Sequence, residues 1–177
     1  MMNKSYDFVE FMGPPKAFEK EGNRTGKMIL QIKTLTPVFI GSGYEKKDGT
    51  ALYSTFQKYK GRPVIPGSSL KGVLRSISQA VSYSCVEVDR DIISDLPFKI
   101  DKNCRCIVCR TYGRMGFRAA VRIGDFLMNK DEGGTEIIKI PVRMSPNVKV
   151  REIYYKDEKL MGIKFYRHGD YRLIDNA

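Results

Sequence analysis

The sequence predicts an α+β fold of the ferredoxin-like or RRM-like kind, and three observations carry that prediction. Leu70, Val73, Leu74, Ile77 and Val81 recur at helical spacing and read as one buried stripe of an amphipathic helix. Runs with two-residue alternation flank that helix, at 27–36 before it and at 117–123 after it. The order is therefore strand, helix, strand, strand with further strands, as in a sheet that covers one face with helices and leaves the other open. The second helix of such a unit is expected to be short or to lie within 86–103.

Taken in order, residues 1–26 hold Tyr6, Phe8, Phe11 and Gly13-Pro14-Pro15, and read as an extended arm with little regular structure. Met28, Leu30 and Ile32 alternate with Gln31 and Lys33, which predicts a half-buried strand. Gly41-Ser42-Gly43 opens a glycine loop that runs to Thr50 with a charged tip at Lys46, Lys47 and Asp48. This loop has neither a Walker spacing nor a Rossmann spacing, so nothing supports ATP or dinucleotide binding. ALYSTFQKYKGRP predicts a short hairpin turning at Lys60-Gly61. Val64-Ile65 then ends at the turn pair Pro66-Gly67, and Ser68 and Ser69 stand where a helix wants its N-cap. Gly67, Ser68, Ser69, Lys71 and Arg75 fall off the apolar stripe near the helix start. Backbone N–H groups, hydroxyls and cations pointing one way there form a site for a phosphate chain, or simply a capped helix with a solvated basic face.

Past the helix, Thr111–Gly116 reads as a second glycine-rich turn, holding Tyr112, Gly113 and Arg114. FRAAVRI predicts a strand with Phe117, Ala119, Val121 and Ile123 inward and Arg118 and Arg122 outward, ended by Asp125. TEIIKIPVRM reads as a further strand, VKVREIYY and KLMGIKFY as a hairpin joined at Lys156-Asp157-Glu158, and the tail HGDYRLIDNA as exposed.

Charge and cysteines narrow the function. Across 177 residues, 31 Lys and Arg stand against 20 Asp and Glu, a net charge of +11. That excess suits a polyanion, either nucleic acid or a membrane surface. No apolar run has the length of a membrane span, and MMNKSYDFVEF lacks the apolar core of a signal peptide, so a soluble, cytoplasmic protein is expected. The 10 Tyr and 9 Phe supply flat faces for core packing or for stacking on bases. Cys104, Cys106 and Cys109 fall within six residues and Cys85 precedes them. In a reducing compartment that clustering reads as metal before disulfide, with four thiolates closing a tetrahedral structural zinc site. A redox CxxC or unligated thiols are the alternatives, and the lone His168 is a weak competitor for a ligand position.

VIPGSSLKGVLRS, preceded by LTPVFIGSG and followed by CIVCRTYG and AAVRIGDF, resembles the RAMP superfamily. The match is to the backbone subunits of type III CRISPR RNA-guided effector complexes. Asp125-Phe126 departs from the family's Asp-Ala at the end of the strand. YDFVEFMGPP and MGIKFYRHGD resemble the branch found in type III-D systems. The resemblance implies a single domain over 1–177, a modified RRM core with an N-terminal arm (1–26), a zinc-knuckle insertion (85–110) and a thumb-like hairpin. It implies an antiviral-defence role: binding guide crRNA along its backbone, pairing with target RNA, and stacking against other RAMP subunits, with no membrane partner. The cradle would use Gly41, Ser42, Gly43, Lys46, Lys47, Gly67, Ser68, Ser69, Lys71, Arg75, Tyr112, Gly113, Arg114, Arg118 and Arg122. In catalytic members an aspartate after the first strand cuts target RNA, and the matching position is Asp48, with Glu45 as the alternative. Such an endoribonuclease would use Mg2+ or Mn2+ beside the carboxylate, with Lys46 and Lys47 flanking it. Asp48-Gly49 is equally a turn pair. A non-catalytic guide-binding subunit, or a basic RNA-binding protein with a zinc knuckle, are the competing readings.

Overall fold

The computed structural model describes residues 6–19, 22, 24–86, 98–99, 101–129, 134–138 and 154–166. Its elements are antiparallel strand pairs and two helices, an α+β chain. They fall into two compact units.

One unit comprises residues 19–75 and 120–144. Strand β2 (Gly41–Asp48) pairs with β3 (Ala51–Phe56) as a hairpin turned by Gly49 at φ +59°. The expected glycine loop is thus a strand. Its irregularity survives as a register shift between Gly41 and Glu45, beside Gly43 at φ +81°. The Ser42 and Thr55 hydroxyls, 2.6 Å apart, close the hairpin across that bulge. Strands β4 (Lys58–Tyr59) and β5 (Arg62–Ile65) form the expected hairpin at Lys60-Gly61, both at positive φ, the backbone a two-residue hairpin turn requires. Strand β5 continues the sheet to β6 (Phe126–Leu127), opposing Val64 to Leu127 and Ile65 to Phe126. Val64 is the buried centre of this three-stranded sheet.

Helix α1 (Gly67–Ala80) begins at Gly67, so Ser68 and Ser69 lie in its first turn rather than capping it. The capping acceptor comes from far along the chain: the Gly67 N–H donates to Asp125 Oδ1 at 2.8 Å. The backbone at Ile123–Gly124 passes so close that a Cβ on residue 67 would lie 2.1 Å from the Ile123 carbonyl oxygen. Only glycine fits there. That close pass fixes which side of α1 turns inward. Within this unit Gly67, Leu70, Lys71, Leu74 and Arg75 are half-buried or better and Val73 is 56% exposed; further along the helix Ile77 and Val81 are 45% and 65% exposed. The expected stripe is therefore rotated: part of its apolar side faces out, and Lys71 and Arg75 sit on the inner side.

The other unit comprises residues 1–18, 76–119 and 145–177. Strand β1 (Tyr6–Val9) lies within the expected arm and pairs with β9 (Ile163–Tyr166). Strands β7 (Tyr155–Lys156) and β8 (Lys159–Leu160) form the expected hairpin, turned by Asp157 and Glu158 at positive φ. Val86 gathers Phe11, Tyr154, Leu160 and Ile163 into one small core. The second helix, α2 (Ile107–Tyr112), lies beyond 86–103, and its last two residues, Thr111 and Tyr112, fall where the glycine turn was expected to begin.

Two predicted strands are absent. Residues 27–36 carry no ladder, and Met28, Leu30 and Ile32 are exposed. Residues 118–123 are likewise irregular, although Ala119 and Ile123 stay half-buried. Alternation makes a strand only where a partner supplies hydrogen bonds, and among the described residues neither stretch has one. The run 135–144 is irregular as far as residue 138, and its remainder, most of VKVREIYY, the tail and His168 lie outside the described residues.

Candidate functional site

The four cysteines converge. The Sγ atoms of Cys85, Cys104, Cys106 and Cys109 all lie within 4.8 Å of one another, with Cys85 3.3 Å from Cys109 and 3.7 Å from Cys106. A tetrahedral zinc with sulfur at about 2.3 Å sets its ligands about 3.8 Å apart, a spacing the four sulfurs bracket. All four thiols are free, and the closest pair is well beyond the S–S bond of about 2.05 Å. Three of the four are buried, and Cys104 is half-buried.

Local structure places each sulfur. Cys106 stands at the N-cap of α2 and Cys109 in its first turns, so the x-x spacing brings both sulfurs to one end of the helix. Cys85 follows α1, its carbonyl accepting from Gln79 Nε2 at 3.2 Å. Cys104 leaves a turn in which its N–H donates to the Asp101 carbonyl at 2.9 Å, and its own carbonyl accepts from Arg114 Nε at 3.1 Å. The N-terminal arm closes the outside: Ala17 bridges to Cys106, the Phe18 N–H donates to the Arg105 carbonyl, and Arg110 Nη1 donates to the Phe18 carbonyl.

The electrostatics are those of one thiolate, Cys106, among buried protonated thiols. The hydrogen bond from the Cys85 thiol holds Cys106 down at about 4 against the effect of burial, and backbone N–H groups of Cys109 and Cys85 add to it. Cys85 is pushed up, first by that same bond and then by burial. Burial above all pushes Cys109 up to about 12. The cluster is also structural. Among the described residues the largest fully buried side chains are Val108 and these three buried cysteines, with Ile107, Tyr112 and Cys104 packed around them. A core this small needs a staple.

The residues expected to bind RNA divide between the two units. In the unit of 19–75 and 120–144, Gly41, Ser42, Gly43, Lys46, Lys47 and Asp48 lie on β2, and Gly67, Ser68, Ser69, Lys71 and Arg75 on the start of α1. Arg122 is exposed there too. Along β2 the ladder from Glu45 to Asp48 is regular, so Lys46 and Asp48 share one face with Tyr53, and Glu45 and Lys47 share the other with Leu52. Lys46 alone of the two lysines flanks Asp48 on its face. At α1 the first helical N–H is not free for a phosphate, because Asp125 holds it. Exposed Ser68 and Ser69 and half-buried Lys71 and Arg75 are what remain. In the other unit, Arg118 is exposed. Arg114 spends its guanidinium on the Cys104 and Met115 carbonyls, and the Tyr112 hydroxyl lies 3.0 Å from Ser78 Oγ. Gly113 ends α2 at φ +81°. Sequence reasoning missed Asp125 as the cap of α1, since nothing local links position 125 to position 67.

Among the described residues no helix is long and apolar enough to cross a membrane, and the cysteine cluster is the only gathering of three or more metal-ligating side chains. The family model of the RAMP superfamily matches residues 31–170. No curated protein and no solved structure matches the chain.

Proposed function

The chain belongs to the RAMP superfamily, whose members are generally CRISPR-associated RNA-binding proteins, and we propose that it is a guide-RNA-binding backbone subunit of a type III effector complex. The family match over 31–170 carries this reading, because that span holds both the β2–β3 hairpin and the helix start. The net charge of +11 supplies the field for a polyanion. A modified ferredoxin-like core is the fold this reading entails, with β2–β3 as its thumb-like hairpin. Lys46, Lys47, Ser68, Ser69, Lys71, Arg75 and Arg122 hold guide phosphates without reading bases. Arg118 serves the same end in the other unit. Neighbouring RAMP subunits and target RNA complete the assembly.

Zinc is the metal proposed for the cysteines: an all-sulfur, buried, tetrahedrally spaced donor set fits it, and it would supply structure rather than chemistry. Catalysis is assigned to Asp48. Cleavage by 2′-OH attack needs a base for the hydroxyl proton and positive charge near the phosphorane. Asp48 takes the proton as the 2′ oxygen bonds to phosphorus, Lys46 on the same face of β2 faces the developing charge, and the P–O5′ bond breaks to leave a 2′,3′-cyclic phosphate and a 5′-hydroxyl protonated by water. Magnesium or manganese would be held by Asp48 together with phosphate oxygens of the bound RNA and would supply positive charge at the phosphorane.

Lys71→Ala tests the binding reading. It is expected to weaken retention of every guide sequence about equally and to lower the slope of log affinity against log salt by about 1. A loss confined to particular guides would contradict a phosphate role.

A further inference from the structure

The β1–β9 ribbon carries an aromatic face that none of the residues considered above accounts for. Antiparallel register sets Tyr6 opposite Tyr166 and Phe8 opposite Lys164. Strand alternation places these four side chains on one face. The other face turns Ile163 toward the Val86 core. On the aromatic face the Lys164 ammonium lies 4.1 Å from the ring centroid of Tyr6, 4.8 Å from that of Tyr166 and 5.5 Å from that of Tyr154. Edge-to-face contacts link Tyr6 to Phe8 at 5.8 Å and Phe8 to Tyr154 at 5.7 Å, so the rings hold one another in place. Tyr166 nevertheless leaves 62% of its surface exposed. The ribbon's one carboxylate, Asp7, lies on the opposite face, where it would not repel an anion.

We propose that this face is a stacking platform for unpaired bases of single-stranded RNA, with the exposed Tyr166 as its main ring surface, the half-buried Tyr6 beside it and Lys164 as the cation between them. The inference rests on the RNA-binding reading and adds a base-contacting surface to one that otherwise holds only phosphates. Its chemistry is that of sheet-borne aromatics on which bases of any identity stack, beside a cation that serves the backbone. A protein strand is the competing occupant. It would pair with the ribbon's edge through main-chain bonds and would be indifferent to these rings. The basic charge of the chain and the ammonium at the centre of the face favour the polyanion.

The test uses the full chain and two fluorescent probes of equal charge, a ten-residue adenosine RNA and an abasic oligomer of the same length. The wild type is expected to bind the adenosine RNA more tightly. Tyr166→Ala weakens that binding about tenfold and leaves the abasic probe unchanged. Adding Tyr6→Leu, which keeps the apolar contact with Phe8, removes the remaining preference. Tyr166→Phe retains the ring and binds like the wild type. Lys71→Ala weakens both probes alike. Equal binding of the two probes by the wild type, or adenosine binding unmoved by Tyr166→Ala, overturns the platform and leaves the phosphate-binding reading standing. Equal probe binding together with loss of self-association in Tyr166→Ala assigns the face to a protein partner and also overturns it. Failure to bind either probe overturns the RNA-binding reading and the platform together. Should the double variant fail to fold, Tyr166→Ala alone decides, since its ring is exposed.

Discussion

With zinc proposed at the cysteine cluster, removing it is expected to unfold the unit that contains the cluster. Structural zinc sites contribute about 10–16 kcal/mol of apparent binding free energy, against a total stability of about 5–15 kcal/mol for an ordinary domain. The described core around Cys85, Cys106, Val108 and Cys109 is too small to compensate. Cys109→Ser should lower zinc content from one ion per chain toward none and abolish the cooperative thermal transition of this unit. A strong chelator should do the same to the wild type, and added zinc should reverse it. Full stability with no bound metal would assign the four thiols to packing alone. Arg114, expected from the sequence to meet RNA, would feel this loss as well, because its guanidinium is anchored on the Cys104 carbonyl.

Asp48→Ala is expected to abolish the target-RNA cut nearest this subunit, by at least a hundredfold in rate, as removal of a general base does. Guide and target binding should stay within about twofold, since the hairpin turn depends on Gly49 and the β2–β3 ladder rather than on the carboxylate. Asp48→Asn, which keeps the shape, should be as inactive as alanine. A cut that persists in both variants assigns this subunit a purely structural role. Glu45→Ala then separates the one other carboxylate on the strand, which lies on the opposite face of β2.

Legibility in the sequence followed the range of the forces involved. The cysteine site was readable because its chemistry is in the residue type and the x-x spacing, and the fold brings Cys85, also expected from the end of α1, to the other three. The Lys60-Gly61 and Asp157-Glu158 hairpins were readable because turn chemistry is local. The runs at 27–36 and 118–123 were misread because alternation is necessary for a strand but a ladder partner is supplied by tertiary structure. The orientation of α1 was misread for a related reason. Its apolar spacing is real, but the inward side is set by a backbone pass at residues 123–124 that demands Gly67. The phosphate site suffered the same way, since Asp125 reaches across the sheet to take the N–H that an isolated helix would offer. On β2, only the register told which lysine shares a face with Asp48.

The most direct test of the guide-binding assignment is to purify the chain with its native assembly and sequence the RNA that comes with it. Short RNAs of uniform length carrying a repeat-derived 5′ handle, together with other RAMP subunits, are the predicted result. A purified chain that carries no RNA, or a random sample of cellular RNA without a common 5′ end, would contradict the account.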